Sequence, residues 1–194
     1  MIDQLDLMKV LQRYRGNALV VPTERASVAW PQVSTCPQRD IAPSAMGHAS
    51  SFALGLALAQ PDAKVIVLDG DGSLEMNLGT LVTIANKGPS NFYHFVLENG
   101  MYATTGGQPI PGKDVVSFSG LAQSAGYAAV YDFDNLEDLA TQAETVLNQA
   151  CPVLVCVNTT PNPRLQGQRG QEMARGRRPI RQAITDLRRD LGVD

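Results

Sequence analysis

A chain of 194 residues, 44% hydrophobic and 18% charged, with a formal net charge of −3 at pH 7, can bury the core of one α/β domain and is too short for two. Its three cysteines, Cys36, Cys151 and Cys156, are odd in number and lack metal-ligand spacing, so free thiols are expected, with Cys156 buried in a strand. No apolar run is long enough to span a membrane and no signal peptide follows Met1, so a cytoplasmic protein without a membrane partner is expected.

Asp3 to Tyr14 places Leu5, Leu7, Met8, Val10 and Leu11 on an amphipathic helix. Ala18 to Val21 reads as the first strand, stopped by Pro22. Ser50 to Gln60 is expected to form a buried helix in which Gly55 permits close packing. The apolar run Lys64 to Leu68 is a strand that ends at the glycine-flanked Asp71, and Phe92 to Leu97 is the next. Met76 to Asn86, between them, is long enough for a crossover helix, so the unit reads strand, helix, parallel strand with a right-handed connection. Residues 104–116, rich in glycine and proline, are expected to form an irregular loop over a site. Ser119 to Ala125, Ala128 to Tyr131, Leu136 to Asn148 and Val153 to Val157 continue the alternation, with Asn135 capping a helix that has Asp138 in its first turn. The fold class is therefore α/β, an open parallel sheet flanked by helices on both faces.

From Pro161 to Asp194 the balance of charge reverses: this stretch holds eight arginines, no lysine and four acidic residues, against 8 basic and 15 acidic groups before it. Residues 1–160 are expected to form the domain, and 161–194 an arginine-rich arm with a helix over Ile180 to Leu191. The run Arg175, Arg177, Arg178, Arg181, Arg188 and Arg189 lacks aromatic interleaving, so a solvated tail or an arm toward a partner subunit is expected rather than a nucleic-acid surface.

The chemistry is concentrated between Gly70 and Asn99. Both strands of the predicted unit end at one carboxyl edge, where open parallel sheets bind phosphorylated ligands. Asp71 offers a carboxylate, Asn99 an amide oxygen and Met101 a backbone carbonyl. This all-oxygen set suits Mg²⁺ with phosphate and water completing the shell. Gly72 removes a Cβ that would keep the backbone from a diphosphate, and Ser73 adds a hydroxyl near a helix start. The alternation of Asp69 and Asp71 before Gly72 is no EF-hand, since it lacks the third ligand, the later glutamate and the leading helix.

Gly70-Asp71-Gly72 followed after 26 residues by Asn99 resembles the diphosphate and Mg²⁺ motif of thiamine diphosphate enzymes. Ser44-Ala45-Met46-Gly47-His48-Ala49-Ser50-Ser51, Leu54 to Ala59 and Gly106-Gly107-Gln108-Pro109 resemble the cofactor-binding domain of phosphonopyruvate and sulfopyruvate decarboxylases, over roughly residues 17 to 158. The resemblance implies thiamine diphosphate and Mg²⁺ as cofactors, with Asp71, Asn99 and the Met101 carbonyl as metal ligands and Gly70, Gly72 and Ser73 at the diphosphate. It places Met46, followed by Gly47, under the bent cofactor, so that the aminopyrimidine comes beside the thiazolium C2 proton, and the Ser44 carbonyl on the 4′-amino group. His48 falls where the family also has histidine, near diphosphate or substrate. His94, inside a predicted strand, reads as a packing residue.

Such enzymes need a second domain that grips the aminopyrimidine and supplies a glutamate to its N1′. Glu24, Glu75 and Glu98 all belong to the diphosphate domain, so the resemblance implies a split enzyme, a dimer or heterotetramer with a pyrimidine-binding partner subunit. It also implies decarboxylation of a small anionic 2-oxo acid with the cofactor as electron sink. Two departures bear on the substrate: Pro22-Thr23-Glu24-Arg25 stands where the family has a Ser-Arg-Glu-like sequence, and Ile110 where threonine is common. Arg25 could meet an anionic substrate or be an exposed loop residue. Tyr102 could face the substrate or only pack. A carboligase of the acetolactate synthase type and a non-catalytic phosphate-binding scaffold are the alternatives.

Overall fold

A computed structural model of the chain describes residues 1–43, 45–162 and 178–193. The expected Ser44 carbonyl contact and the arginines at 175 and 177 lie outside the described residues. The central sheet has five parallel strands in the order β1-β2-β3-β7-β6. They are β1 (Leu19–Pro22), β2 (Val65–Gly70), β3 (Phe92–Glu98), β6 (Ala129–Phe133) and β7 (Val153–Asn158). A minor hairpin pairs β4 (Met101–Tyr102) antiparallel with β5 (Gln108–Pro109). The helices are α1 (Gln4–Tyr14), α2 (Ala26–Ala29), α3 (Ala49–Ala59), α4 (Asp71–Glu75), α5 (Gly79–Lys87), α6 (Phe118–Ala125), α7 (Leu136–Val146) and α8 (Ile180–Leu191).

Strand alternation builds two cores. Val20, Ile66, Leu68, Phe95 and Val155 face one side, where α1, α2 and α7 pack. Leu19, Val21, Val67, Val96 and Leu154 face the other, against α3, α5, α6 and α8. The central strands are apolar nearly throughout because both faces are covered. The predicted cap forms, with Asn135 accepting the Asp138 amide at 2.9 Å, and Asp3 caps the first helix by accepting the Leu5 and Asp6 amides.

The structure corrects four expectations. The crossover does not begin at Met76: the chain turns into α4 at Asp71 itself, breaks at Met76 to Leu78, and resumes as α5. Within the break, the Asn77 side-chain amide donates to the Gly47 carbonyl at 3.0 Å. Gly55 supports no close packing, because a Cβ there would meet nothing within 4 Å. The 104–116 segment is not wholly irregular, since β5 pairs with β4. The helix over Ile180 to Leu191 packs on its own domain, burying Ala183 and Leu187. The cysteines are free, with Cys156 buried as expected, and no helix among the described residues is long and apolar enough to cross a membrane.

Candidate functional site

The carboxyl ends of β1, β2 and β3 converge on one cleft, lined by Thr23, Arg25, Met46, Asp71, Asn99 and Tyr102 among others. Each arrives from a different connection. β1 delivers Thr23 to Arg25, β2 runs into Asp71, and β3 runs into Asn99.

Asp71 is 2% exposed and organises the edge. One carboxylate oxygen accepts the Gly72 amide at 2.8 Å; the other accepts the amides of Asn99 at 2.9 Å and Gly100 at 2.7 Å. Burial pushes its carboxyl above the ordinary value, against those three amides, which lower it, while the Asp69 carboxylate adds to the rise. Asn99 Oδ1 accepts the Met101 amide at 2.9 Å, and the Met101 carbonyl accepts the Ala103 amide at 2.9 Å. Asp71 Oδ1, Asn99 Oδ1 and the Met101 carbonyl each accept one amide and keep a lone pair free, whereas Asp71 Oδ2 is filled by two. Among the described residues no three His, Cys, Asp or Glu side chains form a metal cluster, so a cation here would draw on the Asn99 amide and backbone oxygens. That is a donor set for a hard ion.

Gly72 is required first by the chain itself. A Cβ there would lie 2.6 Å from Tyr102 Cε1 and 2.9 Å from Ile110 Cγ2, so the β4–β5 hairpin rests directly on α4. Burial and then the Asp71 carboxylate raise the Glu75 carboxyl above its usual value, with a hydrogen bond from Tyr102 opposing them. Ser73, 1% exposed, accepts the Gly47 amide at 3.1 Å and so ties the Met46 loop to α4. Gly47 adopts φ +74°, and a Cβ on it would approach Met76 Cβ to 3.1 Å, which explains a glycine there.

Met46, Gly70, Asp71, Gly72, Ser73, Asn99 and Met101 all line the cleft, and Gly47 lies immediately behind it. His48 does not line it: its exposed ring holds Nδ1 2.7 Å from the Met46 carbonyl oxygen. His94 is fully buried, as a packing residue should be. Its Nε2 lies 3.4 Å from Asp69 Oδ2, within ion-pair range but short of hydrogen-bond geometry.

Thr23 was singled out only as a departure from pattern, yet it is 1% exposed, lines the cleft, and its hydroxyl has no hydrogen-bond partner. Burying such a group costs free energy unless something bonds it. Glu24, beside it, has φ +47° and is the non-glycine residue in that region among those described, a strain of the kind that collects at ligand sites. No local sequence signal marks either feature. Only the tertiary closure of the edge reveals them. An orphaned buried hydroxyl, an all-oxygen donor set and a buried carboxylate at one strand edge fit a metal-bound diphosphate.

The chain belongs to the family described as thiamine pyrophosphate enzyme, C-terminal TPP binding domain, whose model matches residues 33–157. It is 40% identical over 117 residues to a phosphonopyruvate decarboxylase of Streptomyces viridochromogenes, covering 60% of this chain and 29% of that protein. It is 48% identical over 91 residues to a sulfopyruvate decarboxylase subunit beta of Methanothermobacter thermautotrophicus, covering 47% of this chain and 48% of that one. The chain thus spans less than half the length of either relative. A thiamine diphosphate-dependent 4-hydroxybenzoylformate decarboxylase of Rhodococcus jostii RHA1 shares the fold, with a TM-score of 0.67 at 24% identity over 84% of this chain and 33% of that structure.

Proposed function

We propose that this chain is the cofactor-binding subunit of a split thiamine diphosphate-dependent 2-oxo acid decarboxylase of the phosphonopyruvate or sulfopyruvate type. The observation that carries the reading is the convergence of Asp71, Asn99, Met101, Met46 and the orphaned Thr23 hydroxyl on one cleft. The names of the relatives support decarboxylation and a second subunit. Asp71, Asn99 and the Met101 carbonyl hold Mg²⁺, and Ser73 fixes the loop that carries Met46. Gly70 and Gly72 let backbone approach the diphosphate, and Thr23 donates its hydroxyl there. Met46 would support the bound cofactor from within the cleft, and the His48 ring holds the Met46 carbonyl. When bound, thiamine diphosphate supplies the electron sink for carbon–carbon cleavage. The chain's own part is to hold, bend and desolvate.

The activating glutamate and part of the substrate pocket come from a pyrimidine-binding partner subunit, in a dimer or heterotetramer working in the cytoplasm. The substrate is a small 2-oxo acid with an anionic group at C3. Calorimetric titration with thiamine diphosphate, with and without Mg²⁺ and with the candidate partner, tests the reading. Metal-dependent binding that tightens with the partner is expected, followed by CO₂ release and an aldehyde product from sulfopyruvate or phosphonopyruvate. Absence of metal-dependent binding in every arm overturns it, and a carboligation product in place of the aldehyde overturns the reaction.

A further inference from the structure

Met46 hangs between two anchors. On its C-terminal side, Gly47 is bonded to Ser73 Oγ at 3.1 Å and to Asn77 Nδ2 at 3.0 Å, which ties it to α4 and the turn that follows. On its N-terminal side, residues 37–41 are held by β1 and by α8. The Ile41 amide donates to the Val20 carbonyl at 2.9 Å. Arg178, just before α8, donates to the carbonyls of Pro37 and Asp40, the latter at 2.8 Å, and is itself held by Asp186 at 2.6 Å. Arg39 pairs with Asp190 at 2.7 Å.

Arg178 Nη2 thus bonds two backbone oxygens of one turn while Nη1 reaches Asp186, a division its planar donors suit. Both ion pairs are largely shielded, with side chains 19% and 24% exposed in one and 23% and 26% in the other, so they outweigh the usual surface pair. Beneath this contact lies a cavity of about 160 Å³ lined by Pro22, Trp30, Ser34, Pro37, Asp40 and Arg178. Residues 39–41 are also tied to the domain from the other side, by the Arg15–Asp40 pair at 2.9 Å, the Arg39 bond to the Asn17 carbonyl at 2.6 Å and the buried Ile41 side chain, so α8 grips a turn that the domain holds as well. Arg178, Asp186 and Asp190 all lie beyond residues 33–157, the part matched by the family model.

We infer that α8 is a strap that positions the Met46 loop, with Arg178 and the Arg39–Asp190 pair as positioning residues for the cofactor-supporting side chain. The arginine-rich C-terminal segment thereby acquires a task inside its own subunit. The inference rests on the proposed function only in giving Met46 its role.

The test uses the full chain in three forms: Arg39→Asp, Asp190→Arg and the double swap, with Asp190→Asn as the milder substitute if a reversal fails to fold. Backbone hydrogen exchange is read at residues 41–47 against α3, and thiamine diphosphate affinity by calorimetry with Mg²⁺. Each single variant is expected to exchange faster at 41–47 with α3 unchanged, and to bind about five- to tenfold more weakly; the double swap recovers the part of both that the pair to α8 carries, the Arg39 bond to the Asn17 carbonyl staying lost. Exchange at 41–47 and affinity equal to the parent in the single variants overturn the strap, even if the melting temperature falls, because that would mark α8 as core packing alone. If the parent itself binds no cofactor, the functional reading fails and the exchange comparison still decides the strap.

Discussion

Asp71 Oδ2 receives the amide of Gly100 at 2.7 Å, so the end of β2 and the turn after β3 are joined through one buried carboxylate. The same group is a structural acceptor as well as the proposed ligand, and Asp71→Asn separates the two roles. The amide keeps a single acceptor oxygen and turns an NH₂ toward a backbone amide, at a cost of about 1–3 kcal/mol, or a fall of several degrees in melting temperature. Mg²⁺-dependent cofactor binding is expected to weaken on the order of a hundredfold, far more than that stability loss explains. Thermal denaturation and calorimetry on the same preparation check both figures.

The Gly72 Cα faces the Tyr102 ring, leaving no space for a methyl group. Gly72→Ala is expected to lose about 1–3 kcal/mol through overpacking. Because Tyr102 is the chief obstacle, Gly72→Ala combined with Tyr102→Ala should cost less than the sum of the single changes. Urea unfolding of the four proteins gives the coupling, and strict additivity would mean that the strain lies elsewhere.

His94 and Asp69 are both wholly buried side chains on neighbouring strands. His94→Leu removes the imidazole and leaves a buried carboxylate oxygen without the group 3.4 Å away, a loss expected at about 1–3 kcal/mol. Asp69→Asn added to His94→Leu should recover part of it, since an amide is cheaper to bury than a charge, and its oxygen still accepts the Gly70 amide. Chemical denaturation that ranks the double variant below the single one would show that the carboxylate is stabilised by something other than His94.

These cases show what the primary structure discloses. The strands were legible because Val65 to Leu68 and Phe92 to Leu97 are covered on both faces and so read as apolar runs. The end of the second strand at the glycine-flanked Asp71 was legible as well, since β2 stops at Gly70. The α4 helix was hidden: Gly, Asp and Ser are poor helix formers, and the turn is held by Asp71's tertiary bonds and by Leu74, 1% exposed. The spacing that brings Asp71 and Asn99 to one edge, where the Asn99 amide bonds the Asp71 carboxylate, was local enough to read. The docking of α8 depends on Arg39–Asp190 and Arg178–Asp186, where no spacing rule connects Arg39 to Asp190.

Thr23 was the least legible residue of the cleft and offers the sharpest separation of binding from folding. Its hydroxyl is buried and unpartnered, so in the empty protein it is a liability, and Thr23→Val replaces it with a methyl of nearly the same shape. Stability without cofactor is therefore expected to hold or to rise by up to about 1 kcal/mol. Thiamine diphosphate affinity is expected to fall about tenfold, because the valine cannot donate to an anion at that place. Thr23→Ser, which retains the hydroxyl, should bind close to the parent. Calorimetry and thermal melts of the two variants decide it: a valine variant that is less stable yet binds normally would make Thr23 a packing residue and remove it from the site.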